Sequence, residues 1–197
     1  MRLSRVMHAK GFMLVLIALI GAVWLGGCAG AGISIIRTDL KPGDLSRADS
    51  LVIKPAQADQ TEFLGDFSDD PPSVVANRDM LKNNFAQNLL PLLLGSGFKA
   101  EMAGASIPVG AVTVEMVVEK FEAGSNAARA MVGMGAGASY LLTTVKLTKN
   151  GQVIADFTID ASSGGRGGFS SIGSFLQQHI DDSLWRFVSY LEEKAQP

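Results

Sequence analysis

Two segments of the chain carry apolar residues at the three-to-four-residue spacing of an amphipathic helix. The first runs from about residue 73 to 94, with Asp70 or Ser73 as its N-cap and Pro91 expected to kink or break it near Gln87. Its apolar stripe consists of Leu81, Phe85, Leu89 and Leu92. The second runs from about residue 172 to 193. Its stripe consists of Ile172, Leu176, Ile180, Leu184, Phe187, Val188 and Leu191.

Alternation of apolar and polar residues predicts strands elsewhere. The alternating segments are 111–122, 140–148 and 152–160, and two shorter apolar runs at 50–56 and 98–102 predict further strands. On the last long strand, the predicted apolar face consists of Val153, Ala155, Phe157 and Ile159. The pattern predicts an α+β two-layer sandwich, with a mostly antiparallel sheet of four to five strands and two main helices on one face.

The connection between the last two strands contains Asn150-Gly151. A two-residue turn in a regular hairpin would place Val145 opposite Asp156, whereas a three-residue loop, 149–151, places Val145 opposite Ala155. Because the second register buries a continuous apolar face, we expect the three-residue loop, with Gly151 left-handed and a glycine bulge.

The N-terminus has the layout of an export signal. Arg2, Arg5 and Lys10 precede an uncharged apolar run, 11–25, that is shorter than the about 20 residues needed to span a bilayer. The run ends in Leu25-Gly26-Gly27-Cys28, which resembles the lipobox of bacterial lipoproteins, and Cys28 is the only cysteine of the chain. The alternative is an uncleaved membrane anchor with an incidental cysteine.

The lipobox resemblance implies cleavage before Cys28 and acylation of that residue. One acyl chain anchors only marginally, at about 0.8 kcal/mol per buried methylene, whereas two or three chains make attachment effectively permanent. Ala29 follows, where an aspartate would favour the inner membrane, so the resemblance implies the outer membrane, with the domain facing the periplasm. We therefore expect a signal peptide at 1–27, a lipidated tether at 28–46 and an α+β domain at 47–194.

The net charge of the chain after signal cleavage limits the classes of partner that it could bind. Loss of the three basic residues of the signal leaves 14 lysines and arginines against 19 acidic residues, a formal net charge of −5. Nucleic-acid binding needs a basic surface, so a nucleic-acid partner is not expected. The charge also does not predict attraction to anionic lipids.

The segment 129–139, RAMVGMGAGAS, has the look of a phosphate-binding loop. It has neither the Gly-x4-Gly-Lys-Ser/Thr nor the GxGxxG spacing, and a strand follows it instead of a helix N-terminus, so nucleotide binding is not expected. Two interpretations stay open: a close-packed connection that needs glycine, and a small-residue interaction strip. The strip would consist of Met131, Gly133, Met134, Gly135 and Gly137.

Candidate chemistry is sparse. His179 is the only histidine after cleavage and lies at the border of a helical stripe, which indicates a boundary structural residue. Neither a metal-binding Cys/His cluster nor a GxSxG serine motif is present, and the adjacent acidic pairs fit a solvated surface. Arg166, in a glycine-rich loop, is a possible contact for a polyanion or carboxylate. No metal, cofactor or catalytic residue is therefore expected.

The segment 128–164, ARAMVGMGAGASYLLTTVKLTKNGQVIADFTIDASSG, resembles the glycine-rich core of the bacterial lipoprotein family known as domain of unknown function 4410 (DUF4410). The upstream SLVIKPA and LLLGSGFKAE fit the same layout, so the resemblance covers roughly residues 47 to 192. It implies a small exported α/β domain and no assigned reaction.

The expected function is that of a non-catalytic binding or scaffolding module of the cell envelope. Its partners would be the membrane, through acyl chains on Cys28, and an envelope protein or a second copy of the chain. One rival is a self-assembling envelope or transport component that uses the glycine strip. The other is a hydrolytic enzyme in which Arg166, His179 and a carboxylate converge in one pocket.

Overall fold

The computed structural model describes residues 30–65, 70–124, 138–163 and 172–196, the side chains of 172–174 excepted. Seven strands and two long helices follow one another within these ranges. They are β1 (Gly30–Thr38), β2 (Ser50–Ile53), β3 (Glu62–Leu64), α1 (Pro71–Gly95), β4 (Lys99–Met102), β5 (Val112–Glu122), β6 (Tyr140–Lys149), β7 (Gln152–Ser162) and α2 (Ile172–Lys194).

All seven strands belong to one mixed sheet with the order β1-β7-β6-β5-β2-β4, and β3 pairs separately with β5. The pairs β1–β7, β7–β6 and β6–β5 are antiparallel. The pairs β2–β4, β2–β5 and β3–β5 are parallel. The α+β class is confirmed, but the prediction of a mostly antiparallel sheet of four to five strands is wrong. The connection from β2 to β4 contains β3 and α1 and forms a crossover, and a crossover returns the chain in the same direction.

The helices pack against each other and against the sheet. Asn84 of α1 donates a hydrogen bond to Gln177 of α2 at 2.6 Å, and Asn88 donates one to Asp181 at 3.4 Å. Side chains of both helices and of the sheet belong to one apolar core. The structure thus has a pair of adjoining helices over a shared core.

The helical stripes form as the spacing predicts, with one shift. In α2, the buried residues of the predicted stripe are Leu176, Ile180, Leu184, Phe187, Val188 and Leu191, and the Ile172 side chain lies outside the described part. In α1, the stripe continues from Leu89 to Leu93, while Leu92 is only partly buried. The helix runs through Pro91 to Gly95 without breaking there. Asp70 is the N-cap, and its side chain accepts a hydrogen bond from Ser73 instead of capping a backbone N–H.

The β6–β7 connection is a two-residue turn, so the predicted three-residue loop is wrong. Lys149 pairs with Gln152, and the turn residues Asn150 and Gly151 have φ angles of 52° and 79°. Gly151 is left-handed, as predicted. The expected bulge is displaced into β7, where Ile154 is skipped between the pairs Thr148–Val153 and Leu147–Ala155.

This bulge restores the apolar register that the turn alone would have lost. Beyond it, Val145 lies opposite Phe157, and Leu141 lies opposite Ala161, all of them buried. Val153 precedes the bulge and is 45% exposed, so its predicted place on the buried face is wrong. The one-residue offset reverses the face of every residue on one side of it.

The chain is already part of the fold at Gly30. Gly30–Thr38 forms β1, an edge strand paired with β7, and Leu40 and Leu45 are buried in the core. These residues fall within the segment 28–46 for which the sequence pattern predicted a tether. The folded body therefore extends well before residue 47.

Candidate functional site

The residues singled out from the sequence lie mostly outside the described ranges. They are Cys28, the strip Met131, Gly133, Met134, Gly135 and Gly137, and the loop residue Arg166. Their predicted roles in lipidation, interaction and loop contact therefore stay predictions. The structure does describe His179, and it places two serines beside it.

A buried polar cluster joins His179 to the ends of two strands. Ser139 directly precedes β6 and Ser163 directly follows β7, while His179 lies on α2. The Ser139 Oγ is 2.8 Å from His179 Nε2 and 3.0 Å from Ser163 Oγ. The backbone reinforces the contact, since Ser163 N donates to Ser139 O at 3.0 Å and Ser139 N donates to Ser163 Oγ at 3.1 Å.

The cluster is inaccessible to solvent. His179 is 0% exposed, and both serines are buried. The imidazole ring packs edge-on against Phe121, with ring centroids 6.3 Å apart. The sequence-based assignment of His179 to a boundary is therefore wrong in position, although a structural role agrees with this burial. The apolar stripe of α2 predicted the surroundings of His179 only approximately. The ends of β6 and β7 extend the core beyond the stripe and cover this histidine.

Hydrogen bonding defines the protonation state of the cluster. The Ser139 hydroxyl donates its single proton to Ser163 Oγ, so His179 Nε2 must donate to Ser139. Among the described residues, Nδ1 of His179 has no hydrogen-bond partner, and burial lowers the pKa of the imidazole from 6.5 to about 4. His179 is therefore neutral at pH 7.

This arrangement favours structure over nucleophilic catalysis. A serine nucleophile must donate its proton to the histidine, and here Ser139 accepts from Nε2. A carboxylate partner on Nδ1, the orienting member of a triad, is not present in the described part of the chain. The three side chains instead hold the start of β6, the end of β7 and α2 together. Neither Ser139 nor Ser163 belongs to a periodic pattern, so no signal in the sequence pointed to them.

Two adjacent acidic pairs, Asp181-Asp182 and Glu192-Glu193, lie on α2, and one carboxylate of each pair has a nearby donor. Asp181 accepts a hydrogen bond from Gln177 at 2.8 Å, and burial followed by the Asp181 charge raises the pKa of Asp182. Glu193 pairs with Arg186 at 3.3 Å at the surface. These adjacent pairs therefore form no shared acid/base site.

The sheet face opposite the helices carries a polar ladder. Arg37 Nη1 lies 3.0 Å from Asp156 Oδ1 and 3.3 Å from Thr158 Oγ1. Glu119 accepts a hydrogen bond from Thr144 on the neighbouring strand. Lys54, just after β2, forms an ion pair with Glu115 of β5. Glu115 and Glu119 thus have partners of their own.

The described ranges hold neither a metal-binding cluster nor a membrane-spanning helix. Within them, no three His, Cys, Asp or Glu side chains are grouped so that they could hold a metal ion. Neither α1 nor α2, the long helices of this part of the chain, combines the length and apolar character needed to cross a membrane.

Exposed apolar side chains lie at both open edges of the sheet, and others lie on the two helices and beside the β6–β7 turn. On β1, Ile35 and Ile36 are 52% and 54% exposed. On the opposite edge, Met102 of β4 is exposed, as are Ile107 and Val109 just after it. Exposed apolar groups on unpaired edges are features of interaction surfaces.

Several solved structures are similar to this chain at low identity. A PelC dodecamer from Paraburkholderia phytofirmans is 14% identical, with 83% of this chain and 99% of that chain covered and a TM-score of 0.44. An uncharacterised protein is 13% identical over 78% of this chain and 98% of its own, with a TM-score of 0.46. Protein XCC0632 from Xanthomonas campestris, of family DUF330, is 15% identical over 80% and 90%, with a TM-score of 0.39.

None of the curated proteins matches the chain. A family model does match, over residues 33–167, which is more than half of the sequence. It describes a domain of unknown function, and by this match the chain belongs to the DUF4410 family.

Proposed function

We propose that this protein is a lipid-anchored, exported module of the bacterial cell envelope that binds or scaffolds other components without catalysis. The observation that carries the proposal is Leu25-Gly26-Gly27-Cys28 at the end of the uncharged run 11–25. A leucine, two small residues and a cysteine provide the extended cleavage site and the thiol that acylation requires. Cys28 would carry the acyl chains, and Ala29 favours delivery to the outer membrane, with the domain in the periplasm.

The non-catalytic part of the proposal is supported by His179. Its Nε2 donates to Ser139, its ring is buried, and its pKa of about 4 keeps it neutral. A general base works best with a pKa near the operating pH and within reach of substrate. The described histidine therefore serves cohesion between strands and helix better than proton transfer.

Mass spectrometry of the membrane-extracted protein tests the anchor. We expect a product that starts at Cys28 and carries acyl mass, together with incorporation of radiolabelled palmitate. Cys28→Ala should abolish both and release the domain from the membrane fraction. A product with an intact N-terminal methionine and an unmodified Cys28 thiol would contradict the proposal.

A matched substitution tests the destination. Ala29→Asp leaves Cys28 in place, so acylation should persist while the protein moves from the outer-membrane to the inner-membrane fraction. Ala29→Ser provides the control and should remain in the outer-membrane fraction. Equal distribution of the three proteins would argue against outer-membrane delivery.

Self-association is a second candidate, supported by the apolar residues on both open edges of the sheet. Different surfaces on the two edges can pair head to tail and build rings or filaments. The glycine strip 131–137 provides a further predicted contact surface. Light scattering of the detergent-extracted lipoprotein should give the mass of an oligomer, reduced to that of a monomer by Ile36→Lys or Gly135→Val. A monomeric mass for the unsubstituted protein would reject this candidate.

A further inference from the structure

We infer that the folded body stands end-on at the bilayer, with the strand ends Gly30, Ser162, Tyr140 and Glu122 nearest the lipid headgroups. This membrane-facing end was not predicted from the sequence, whose pattern indicated a long tether at residues 28–46. The inference rests on the proposed lipidation of Cys28. It adds which surface of the domain that anchor holds against the membrane.

The first step is the length of chain between anchor and fold. Only Ala29 separates Cys28 from Gly30, where β1 begins. Two residues of fully extended chain reach about 7 Å. The strand therefore starts within that distance of the acylated residue. The link is too short to let the domain move far from the membrane.

The second step is the register of the sheet. Gly30 lies opposite Ser162, Ser162 opposite Tyr140, and Tyr140 opposite Glu122. On the far side of β5, Leu64 lies opposite Glu122. One row of paired residues thus crosses five strands, so the short link at Gly30 brings this whole end of the sheet towards the bilayer.

The third step is the chemistry of the two ends. At the Gly30 end, the first strand residues Gly30, Ala31 and Gly32 are uncharged. Lys120 Nζ lies 5.4 Å from the centroid of the Tyr140 ring. Tyrosine and lysine, which combine an apolar body with a polar tip, suit a bilayer interface. Glu62, 3.8 Å from Lys120 Nζ, and Glu122 offset the lysine charge, so the covalent anchor, and not electrostatic attraction, determines the orientation.

The opposite end of the sheet carries two ion pairs. Lys149 lies 2.9 Å from Asp49, and Lys194 lies 2.6 Å from Asp39. These ion pairs keep their hydration if that end points into the aqueous compartment. Strand β7 extends over 11 residues. At a rise of about 3.3 Å per residue, its first residue is roughly 30 Å from its last.

An edge-on orientation, with β1 lying along the membrane, is the principal alternative. It would bring Ile35 and Ile36 to the surface, but also Arg37, Asp156 and Asp39. Acidic side chains are repelled by an anionic leaflet, and the ion pair would lose hydration. The end-on orientation avoids both costs for Arg37, Asp156 and Asp39, and the short link at Gly30 favours it.

Single introduced cysteines distinguish the orientations. Cys28 is the only native cysteine and its thiol is acylated, so Gly32→Cys, Ile36→Cys and Gln152→Cys each provide one free thiol. All three positions are exposed, and a Cβ at Gly32 meets nothing within 4 Å. Each full-length acylated protein is labelled with bimane and reconstituted into phosphatidylethanolamine–phosphatidylglycerol vesicles containing lipids with nitroxide-labelled headgroups.

Quenching should decrease in the order Gly32, Ile36, Gln152, with the Gly32 label quenched several-fold more strongly than the Gln152 label. Equal quenching at Gly32 and Ile36 would establish the edge-on orientation. Equal quenching at Gly32 and Gln152 would show a freely tumbling body. Either result would overturn the inference.

A spacer provides the matched control. Ten Gly/Ser residues inserted between Ala29 and Gly30 add a mean span of about 17 Å and should abolish the gradient. The same insertion after Gly43, in an exposed turn, should leave the gradient intact. Mass spectrometry of each sample separates the two failures. An unacylated protein refutes the proposed function and this inference together, whereas an acylated protein without a gradient refutes this inference alone.

Discussion

At the scale of single residues, the buried His179 shows how the interior is held together by polar contacts. Its Nε2 connects α2 to Ser139, and Ser139 connects β6 to Ser163 at the end of β7. Such a contact is useful only while the imidazole is neutral, because a buried imidazolium would have no counter-charge among the described residues. Protonation should therefore weaken the fold.

The expected pH dependence follows from the lowered pKa of His179. Between about pH 6.5 and pH 4, the unfolded chain binds a proton at this residue that the folded chain does not bind. The free energy of unfolding contributed by the neutral imidazole is complete above pH 6.5 and decreases as the pH falls to about 4. The decrease is about 3 kcal/mol at most.

Urea unfolding of residues 30–196 at pH 7.5, 6, 5 and 4.5 measures this decrease. His179→Gln, which keeps an N–H donor for Ser139, removes the titrating group and should flatten the difference between pH 7.5 and 4.5. The carboxylates with shifted pKa values are common to both proteins and cancel in the comparison. Parallel pH profiles for the two proteins would contradict the assignment.

Tyr190 provides a second buried polar contact, at the other end of α2. Its hydroxyl accepts from Leu40 N at 3.0 Å and donates to Asp39 Oδ1 at 2.7 Å. Tyr190→Phe leaves the Leu40 N–H buried without this partner, so the free energy of unfolding should decrease by about 1–3 kcal/mol. Urea denaturation measures it, with the exposed Trp185→Phe as a control that should change stability by less than about 0.5 kcal/mol. Equal effects of the two substitutions would disprove the role of the hydroxyl.

The sequence predicted the apolar partners of these residues better than the polar ones. Helical spacing identified Leu176 and Ile180, the immediate neighbours of His179 in the core. The spacing carries no information about Ser139, which lies 40 positions away and reaches the histidine only after β6 joins the sheet. A polar cluster assembled from separate elements leaves no periodic trace in one chain.

At the scale of elements, the β6–β7 hairpin combines a tight Asn-Gly turn with a continuous apolar face. In a regular hairpin of this sequence, the tight turn would place apolar residues opposite charged ones. Asn150-Gly151 forms the tight two-residue turn that this dipeptide favours. The skipped residue Ile154 then restores the alternation, so Val145 meets Phe157. The alternation correctly predicted a buried face and a left-handed Gly151, but the register could not be predicted from loop length alone.

Single-residue deletions test this account of the hairpin. Deleting Ile154 should give a regular hairpin that keeps Leu147 opposite Ala155 and Val145 opposite Phe157. The free energy of unfolding should decrease by only about 1–2 kcal/mol, which is the effect of losing one partly buried side chain. Circular dichroism and urea unfolding measure the outcome.

Deleting Thr158 is the matched control. Without it, either Ile159 moves to the outer face and Asp160 inward, or the bulge straightens and Asp156 faces Val145. Both arrangements bury a carboxylate, so cooperative unfolding should be lost. If the Ile154 deletion were as damaging as the Thr158 deletion, the bulge would have a role beyond register.

The parallel part of the sheet shows a different limit of sequence reasoning. Short apolar runs located β2 and β4, and Leu51, Val52 and Ile53 of β2 are all buried, as is typical of a continuous apolar run in a parallel sheet. Their direction depends on where α1 packs, which the strand sequences do not encode. Strand β3 was missed because it lies in an acidic stretch with few apolar residues. For residues 33–38 of β1, the sequence left open a short edge strand or apolar residues near the bilayer, within the predicted tether.

At the scale of the whole molecule, the N-terminal segment connects the proposed anchor to the core. Strand β1 covers one side of β7, and Leu40 and Leu45 are buried beyond it. The DUF4410 match begins at residue 33, inside β1, whereas the resemblance noted from the sequence began near residue 47. Both observations place the start of the domain before the expected boundary, because a glycine-rich strand with exposed isoleucines has the composition of a linker.

Two fragments test where the domain begins. Residues 30–196 retain β1, Leu40 and Leu45 and should unfold cooperatively, whereas residues 47–196 should not. Each fully buried leucine contributes about 1.5–3 kcal/mol, and the loss of both approaches the smaller values of the 5–15 kcal/mol by which domains are stable. Removal of residues 30–46 also uncovers the backbone of β7 and the core against which Leu40 and Leu45 pack, so the shorter fragment should aggregate or bind hydrophobic dyes. Near-ultraviolet circular dichroism and hydrogen exchange of β7 amides distinguish the fragments.

Equal unfolding midpoints of the two fragments would show that β1 is dispensable for stability. An anchor joined to a dispensable strand would no longer hold the sheet end-on at the membrane.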